Sequence, residues 1–178
     1  MKTTKQSAVI LGLGGNILLF ISKLIIGLIT NSIAIISDAL NSFTDIINSI
    51  VLFISVRVGS KSADKEHPFG HYRSEPIGAL IVAVLTVILG FEVARVAVTR
   101  IINKISPVFS TMMLLMMLVT ILAKSLMYFY TKSAWKKTKS TALFAFMVDH
   151  RNDIWIASAA IIGFIGPHYN LLFLDPVV

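Results

Sequence analysis

Carboxylates set inside long apolar runs are the residues of this sequence most able to do chemistry. Within SDALNSFTD, Asp38, Asn41 and Asp45 stand three, four and seven residues apart, which puts them on one stripe of a helix. Within DHRND, Asp149 and Asp153 are four apart and also share a face. An ionised aspartate at the centre of a bilayer costs about 2.5 to 3.5 kcal/mol even on a lenient insertion scale, so such residues tend to mark ion paths. If the two stripes face each other, Asn41, Asp45, Asp149 and Asp153 form a compact cage of three carboxylates and one amide carbonyl. Empty and fully ionised, that cage is untenable, because like charges repel and burial penalises the charged form. It must hold a cation or protons. Metal arrival then displaces protons and protonation expels metal, which is the physical core of cation/proton exchange.

Other readings of the same residues stand beside this one. His150, three before Asp153, is an alternative nitrogen ligand after a modest helix rotation, or else a packing histidine. The acids can instead pair with Lys23, Lys124 or Arg151 as salt bridges within a bundle, although Arg151 lies two residues from each acid of its helix and points to another face. Asp38 reads as a proton-relay carboxylate or as a partner for Lys23 or Lys124. In ADKEHPFGHYRSE, Asp64, His67 and His71 recur at spacings of three and four, which suits a metal site or a capped turn fixing two helices. Pro68 and Gly70 break the helix that would align those ligands.

The elements that must position these groups follow from composition. Of 178 residues, 56% are hydrophobic and 14% charged, far below the roughly 25% charged residues of a soluble domain. Five apolar runs, about 7–29, 32–56, 76–97, 108–130 and 141–165, are long enough for a hydrocarbon core of about 30 Å. All five are expected to be helices, because backbone groups facing lipid must be bonded within their own segment and barrel alternation is absent. The expected fold is an all-α membrane protein, a polytopic transmembrane helix bundle. Lys23 in the first run argues against a cleavable signal peptide. The cations cluster in loops: Lys2, Lys5, Arg57, Lys61, Lys65, Arg73, Lys132, Lys136, Lys137 and Lys139 on one side, against Arg95, Arg100 and Lys104 on the other. The richer side, with the N-terminus, is expected to be cytoplasmic, and the net charge of +7 reports membrane orientation rather than nucleic-acid binding.

Lesser signals fit the same frame. Zero cysteines exclude disulfides and thiolate metal sites. Met112, Met113, Met116 and Met117 suit irregular apolar contacts better than Cu(I), because no Cys or nearby His completes a soft site. Gly12, Gly14 and Gly15 allow close helix approach. Glu75 and Glu92 lie toward span ends and read as interface anchors, and Trp135 with Tyr128 and Tyr130 as an aromatic belt. After a short loop containing His168, residues 171–178 look like the start of a sixth span.

The run SKLIIGLITNSIAIISDALNSFTD, the loop HPFGHYRSE, the fifth-span DHRND and the terminal LDP resemble the cation diffusion facilitators, proton-coupled exporters of divalent transition metals. The resemblance implies six transmembrane helices, a cytoplasmic metal-binding domain, a homodimer, and in some members an additional metal site in the loop that holds Asp64, His67 and His71. Against that pattern the chain reads as five spans of an expected six, with no C-terminal domain. Zinc-type members have His or Asp first in the second-span pair and His first in the fifth-span pair, where this sequence has Asn41 and Asp149. Imidazole suits zinc and oxygen ligands suit harder ions, so the all-oxygen set shifts the expected substrate to Mn(II), with zinc, iron, cobalt or cadmium as alternatives. The expected function is therefore a Mn(II)/proton antiporter of the cytoplasmic membrane, not an enzyme, with metal as substrate and no cofactor. A membrane scaffold or regulatory partner of a complete exporter is the alternative of another class.

Overall fold

The computed structural model describes residues 2–103 and 111–165, and every regular element among them is an α-helix. In chain order these are α1 (Lys2–Ile29), α2 (Ile33–Gly59), α3 (Ser74–Asn103), α4 (Thr111–Thr138) and α5 (Thr141–Ile165). The chain is a polytopic helical membrane protein. Four of its helices contain stretches long and apolar enough to cross a membrane, Thr4–Ile29, Ile35–Gly59, Ser74–Glu92 and Thr111–Thr138. In α5, 25 residues long, every 18-residue stretch contains Asp149, Arg151 and Asp153, so composition alone does not qualify it. Lys104, His168 and residues 171–178 lie outside the described residues.

Several helices run past the apolar stretches expected of them. At about 1.5 Å per residue, 28 residues give about 42 Å, more than the hydrocarbon layer. Nothing in α4 after Tyr130 stops a helix, and Lys132, Lys136 and Lys137 extend it into the headgroup region. Pro76 sits in the first turn of α3, where its missing N–H has no partner to lose.

Tight turns join α1 to α2 and α4 to α5, making antiparallel neighbours of each pair. Asn31 takes the left-handed conformation at φ 50°, which Asn tolerates, and the Ser32 hydroxyl accepts from Ile35 N–H to cap α2. Lys139 does the same work at φ 53°, followed by Ser140, whose hydroxyl accepts from Leu143 N–H. The packing closes into a ring in which α1 touches α2 and α4, α3 touches α2 and α5, and α4 touches α5. Three of the four glycines of α1 let it approach its neighbours: a side chain at Gly12 would strike Phe146 of α5, one at Gly15 would strike Met127 of α4, and one at Gly27 would strike Ile36 of α2. Gly14 faces open space, so close approach does not explain it.

The apolar core gathers at one end of the ring, where Ala8, Val9, Leu52, Val56, Ala134 and Phe146 are buried together. That end carries the cation-rich loops. Glu75, expected as an interface anchor, is instead buried there. It accepts from the Lys5 ammonium at 2.6 Å and from the Ser140 hydroxyl, clasping α1 and the α4–α5 turn to the start of α3. The reason is local: entering α3 at Ser74 points Glu75 between helices rather than into headgroups. Glu75→Gln is therefore expected to destabilise the bundle by about 1.5–3 kcal/mol, the range for a hydrogen bond to a charged group. Thermal unfolding in detergent checks it, and an unchanged midpoint would remove the clasp from the forces holding this end together.

Candidate metal centre

Four polar residues stand at or next to the midpoints of their helices: Asn16 in α1, Asp45 in α2, Lys124 in α4 and Asp153 in α5. Because the four helices are similar in length and pack side by side, these midpoints meet at one depth. Lys124 is 1% exposed and donates to Asp45 Oδ2 at 2.7 Å and to Asp153 Oδ2 at 2.5 Å. One ammonium thus ties α2 to α5 through α4. Asp149, a turn closer to the cationic end, is buried beside Asn48 of α2, and its Oδ2 has no hydrogen-bond partner among the described residues.

The three carboxylates expected to share a site do converge, but Asn41 does not join them. It is exposed on α2. Four residues carry a helix about 40° beyond a full turn, so a residue one turn from an inward-facing Asp45 can leave the seam. His150, the alternative ligand, is fully buried, and one ligand atom each from Asp149, His150 and Asp153 lie within 4.8 Å of one another. Its ring packs against Phe146 with centroids 4.3 Å apart, and neither ring nitrogen has a hydrogen-bond partner among the described residues. Packing and ligand availability therefore coexist in that histidine. Arg151 is exposed and takes no part.

Asp38 is paired with Lys23 at 2.9 Å, and the Lys23 ammonium also donates to the Ser42 hydroxyl. Pairing, the alternative to a relay role, is what this geometry carries. Sequence reasoning missed the shell around the acids. Asn16, fully buried, donates to the Ser49 hydroxyl at 2.8 Å and to the Asp45 carbonyl at 3.3 Å, and Asn48 and Ser49 are buried with it. The signal was available: an amide in the middle of an apolar run is subject to the same cost argument as an acid, though a weaker one.

In the 60–73 loop, the break at Pro68 and Gly70 assembles the cluster rather than scattering it. Gly70 adopts φ 79°, where a side chain would be strained, and the turn folds His67 and His71 onto Asp64. Asp64 Oδ1 accepts from His67 N–H at 2.6 Å, with His67 Nδ1 at 3.4 Å and His71 Nε2 at 3.5 Å from the carboxylate. The His67 N–H holds the Asp64 carboxyl below its usual range, and the neighbouring imidazoles add to the effect. One ligand atom from each of the three lies within 4.8 Å of the others, so a capped turn and a ligand cluster are here the same geometry.

Residues 9–178 match the model of the cation efflux transmembrane domain. Over 172 residues, 97% of this chain, it is 31% identical to an uncharacterized transporter, MJ0449, of Methanocaldococcus jannaschii, covering 61% of that protein. It is 30% identical over the same share to the manganese efflux system protein MneS of Bacillus subtilis, covering 59% of it. The magnetosome protein MamM of Magnetospirillum gryphiswaldense is 30% identical over 94% of this chain and 53% of its own length. The chain thus spans between 53% and 61% of the length of these three relatives.

For the loop cluster, His71→Ala is expected to remove one bound Mn(II) or Zn(II) per chain, counted by equilibrium dialysis and elemental analysis. An unchanged count would leave the cluster as a capped turn only.

Proposed function

Since this chain belongs to the cation efflux family, we propose that it exports Mn(II) from the cytoplasm in exchange for protons. The observation that carries the reading is the meeting of Asp45, Asp153 and Asp149 at mid-bundle on two helices that differ in sequence position by about a hundred residues. Three carboxylates in hydrocarbon need a cationic partner, and the oxygen set ranks manganese above softer-ligand metals. Asn41, one turn along α2, completes that set after a rotation of α2 about its axis. The manganese efflux role named for MneS supports the same substrate.

Each conformational state opens the acids to one side of the membrane, and protons occupying the carboxylates on the return step keep the empty site from being stranded with its charge. The cation-rich end, with the N-terminus, faces the cytoplasm, as the loop bias supports. The assembly is a homodimer in the cytoplasmic membrane. Bond-making chemistry has no part in this reading.

A second reading is favoured by one observation: His150 stands with Asp149 and Asp153, an oxygen and nitrogen set that suits zinc. Proton-coupled flux in proteoliposomes, with Mn(II) and Zn(II) in parallel, separates the two. Mn(II) flux is expected, falling to background in Asp45→Ala and Asp153→Ala, and Asp149→His is expected to raise zinc over manganese. Flux with zinc alone would move the substrate to the second reading. No flux with either metal, or wild-type flux in either alanine variant, would overturn the assignment and favour a non-transporting membrane partner.

A further inference from the structure

Lys124 is not one of the groups a metal site needs, yet it occupies the centre of this one. It lies thirteen residues after Thr111 and fourteen before Thr138, at the depth most costly for an ammonium. It is 1% exposed and bonded to one oxygen of each of two carboxylates on two other helices. A nitrogen within hydrogen-bond distance of both Asp45 Oδ2 and Asp153 Oδ2 fills the point from which a divalent ion would bridge them. Ion and ammonium cannot share that point. We propose that Lys124 is a tethered occupant of the transport site, holding Asp45 and Asp153 together between metal loads and leaving the shared point when a divalent ion takes it.

The proposal rests on the reading of these acids as the transport site and adds a residue that sets its affinity and turnover. Its physical basis is a comparison of two cations. At equal separation a divalent ion attracts each carboxylate twice as strongly as an ammonium does, so metal displaces lysine when metal is present. The ion must shed water to enter, which offsets part of that advantage and keeps the exchange reversible. When the ion leaves, two buried carboxylates without a partner would be strongly destabilising, and the ammonium returns on its flexible four-carbon stem. The third carboxylate, Asp149, gives the displaced ammonium somewhere to stay. One divalent ion and one lysine then match the charge of three ionised carboxylates. Release into water is thereby assisted: the ligands have a resident replacement at the moment the ion departs.

The test uses the full chain in detergent for Mn(II) binding and in proteoliposomes for flux. Lys124→Met removes the competing charge at similar volume. It is expected to tighten Mn(II) binding by about tenfold or more, lower KM and lower the maximal flux together, because the ion now leaves ligands that only protons from solution can neutralise. Lys124→Arg is expected to do the opposite to affinity. Its planar fork engages carboxylates bidentately and should hold Asp45 and Asp153 more firmly, weakening Mn(II) binding by about tenfold with the charge retained. Should Lys124→Met fail to fold, the arginine variant alone decides, and Mn(II) binding by it as tight as wild type would overturn the proposal. Weaker or unchanged binding in a folded Lys124→Met protein would overturn it too, by showing that the lysine supports or ignores the ion. These failures differ from failure of the transport reading, which would appear as absent wild-type flux or as flux surviving Asp45→Ala. A wild-type protein that binds neither Mn(II) nor Zn(II) would sink both.

Discussion

An ionised group in the hydrocarbon layer persists only where another group takes up its charge, and in this chain that condition brings α2, α4 and α5 to a common point. Lys124 joins Asp45 to Asp153 across three helices, and breaking such a pair by removing one partner typically costs far more than the pair contributes. The ion pair therefore acts less as a source of stability than as a rule of assembly. Helices of this length, apolar on every side, have little to fix their relative rotation in lipid, where apolar packing alone discriminates poorly. A buried charge that must be met by its counter-charge fixes rotation and depth together.

The same constraint recurs one layer out. Lys23 meets Asp38 and Ser42, which ties α1 to α2 on the side away from the cationic end. Asn16 meets Ser49 and the Asp45 carbonyl, holding α1 against the face of α2 that carries the site. At the cationic end Glu75 gathers Lys5 and Ser140, with the apolar cluster packed just inside. Three polar levels thus divide the bundle, and the middle one is the level at which a transported ion would be coordinated. Small residues make these approaches possible, as Gly12 under Phe146 and Gly15 under Met127 illustrate.

Charge that is satisfied in two ways is what separates a structural ion pair from a transport site. The carboxylates of Asp45 and Asp153 are held by lysine, whereas Asp149 Oδ2 and both nitrogens of His150 are buried without hydrogen-bond partners among the described residues. Unpartnered buried polar atoms are rare in a finished core because each carries a desolvation penalty. Their gathering beside a lysine-held pair leaves acceptors in place for an ion that arrives. The proposed alternation of ion and ammonium would need only a cation exchange at a common point, not a new fold.

Much of this was legible from the sequence because it depends on local properties. Helices and their approximate limits follow from apolar run length and from the need to satisfy backbone groups in lipid, and the four-residue spacings that pair Asp149 with Asp153 follow from helix geometry. The spacing of Asp64, His67 and His71 likewise pointed to a cluster, although the turn at Gly70, not a helix, assembles it. Tertiary structure alone decided which candidates meet. Sequence periodicity places Asn41 and Asp45 on one stripe but leaves the rotation of that stripe open, so it could not say that Asn41 is exposed while Asp45 faces inward, or choose among Lys23, Lys124 and Arg151 as partners. Those choices belong to the packing of α1, α4 and α5 around α2, where charge pairs with charge over distances that no local pattern encodes.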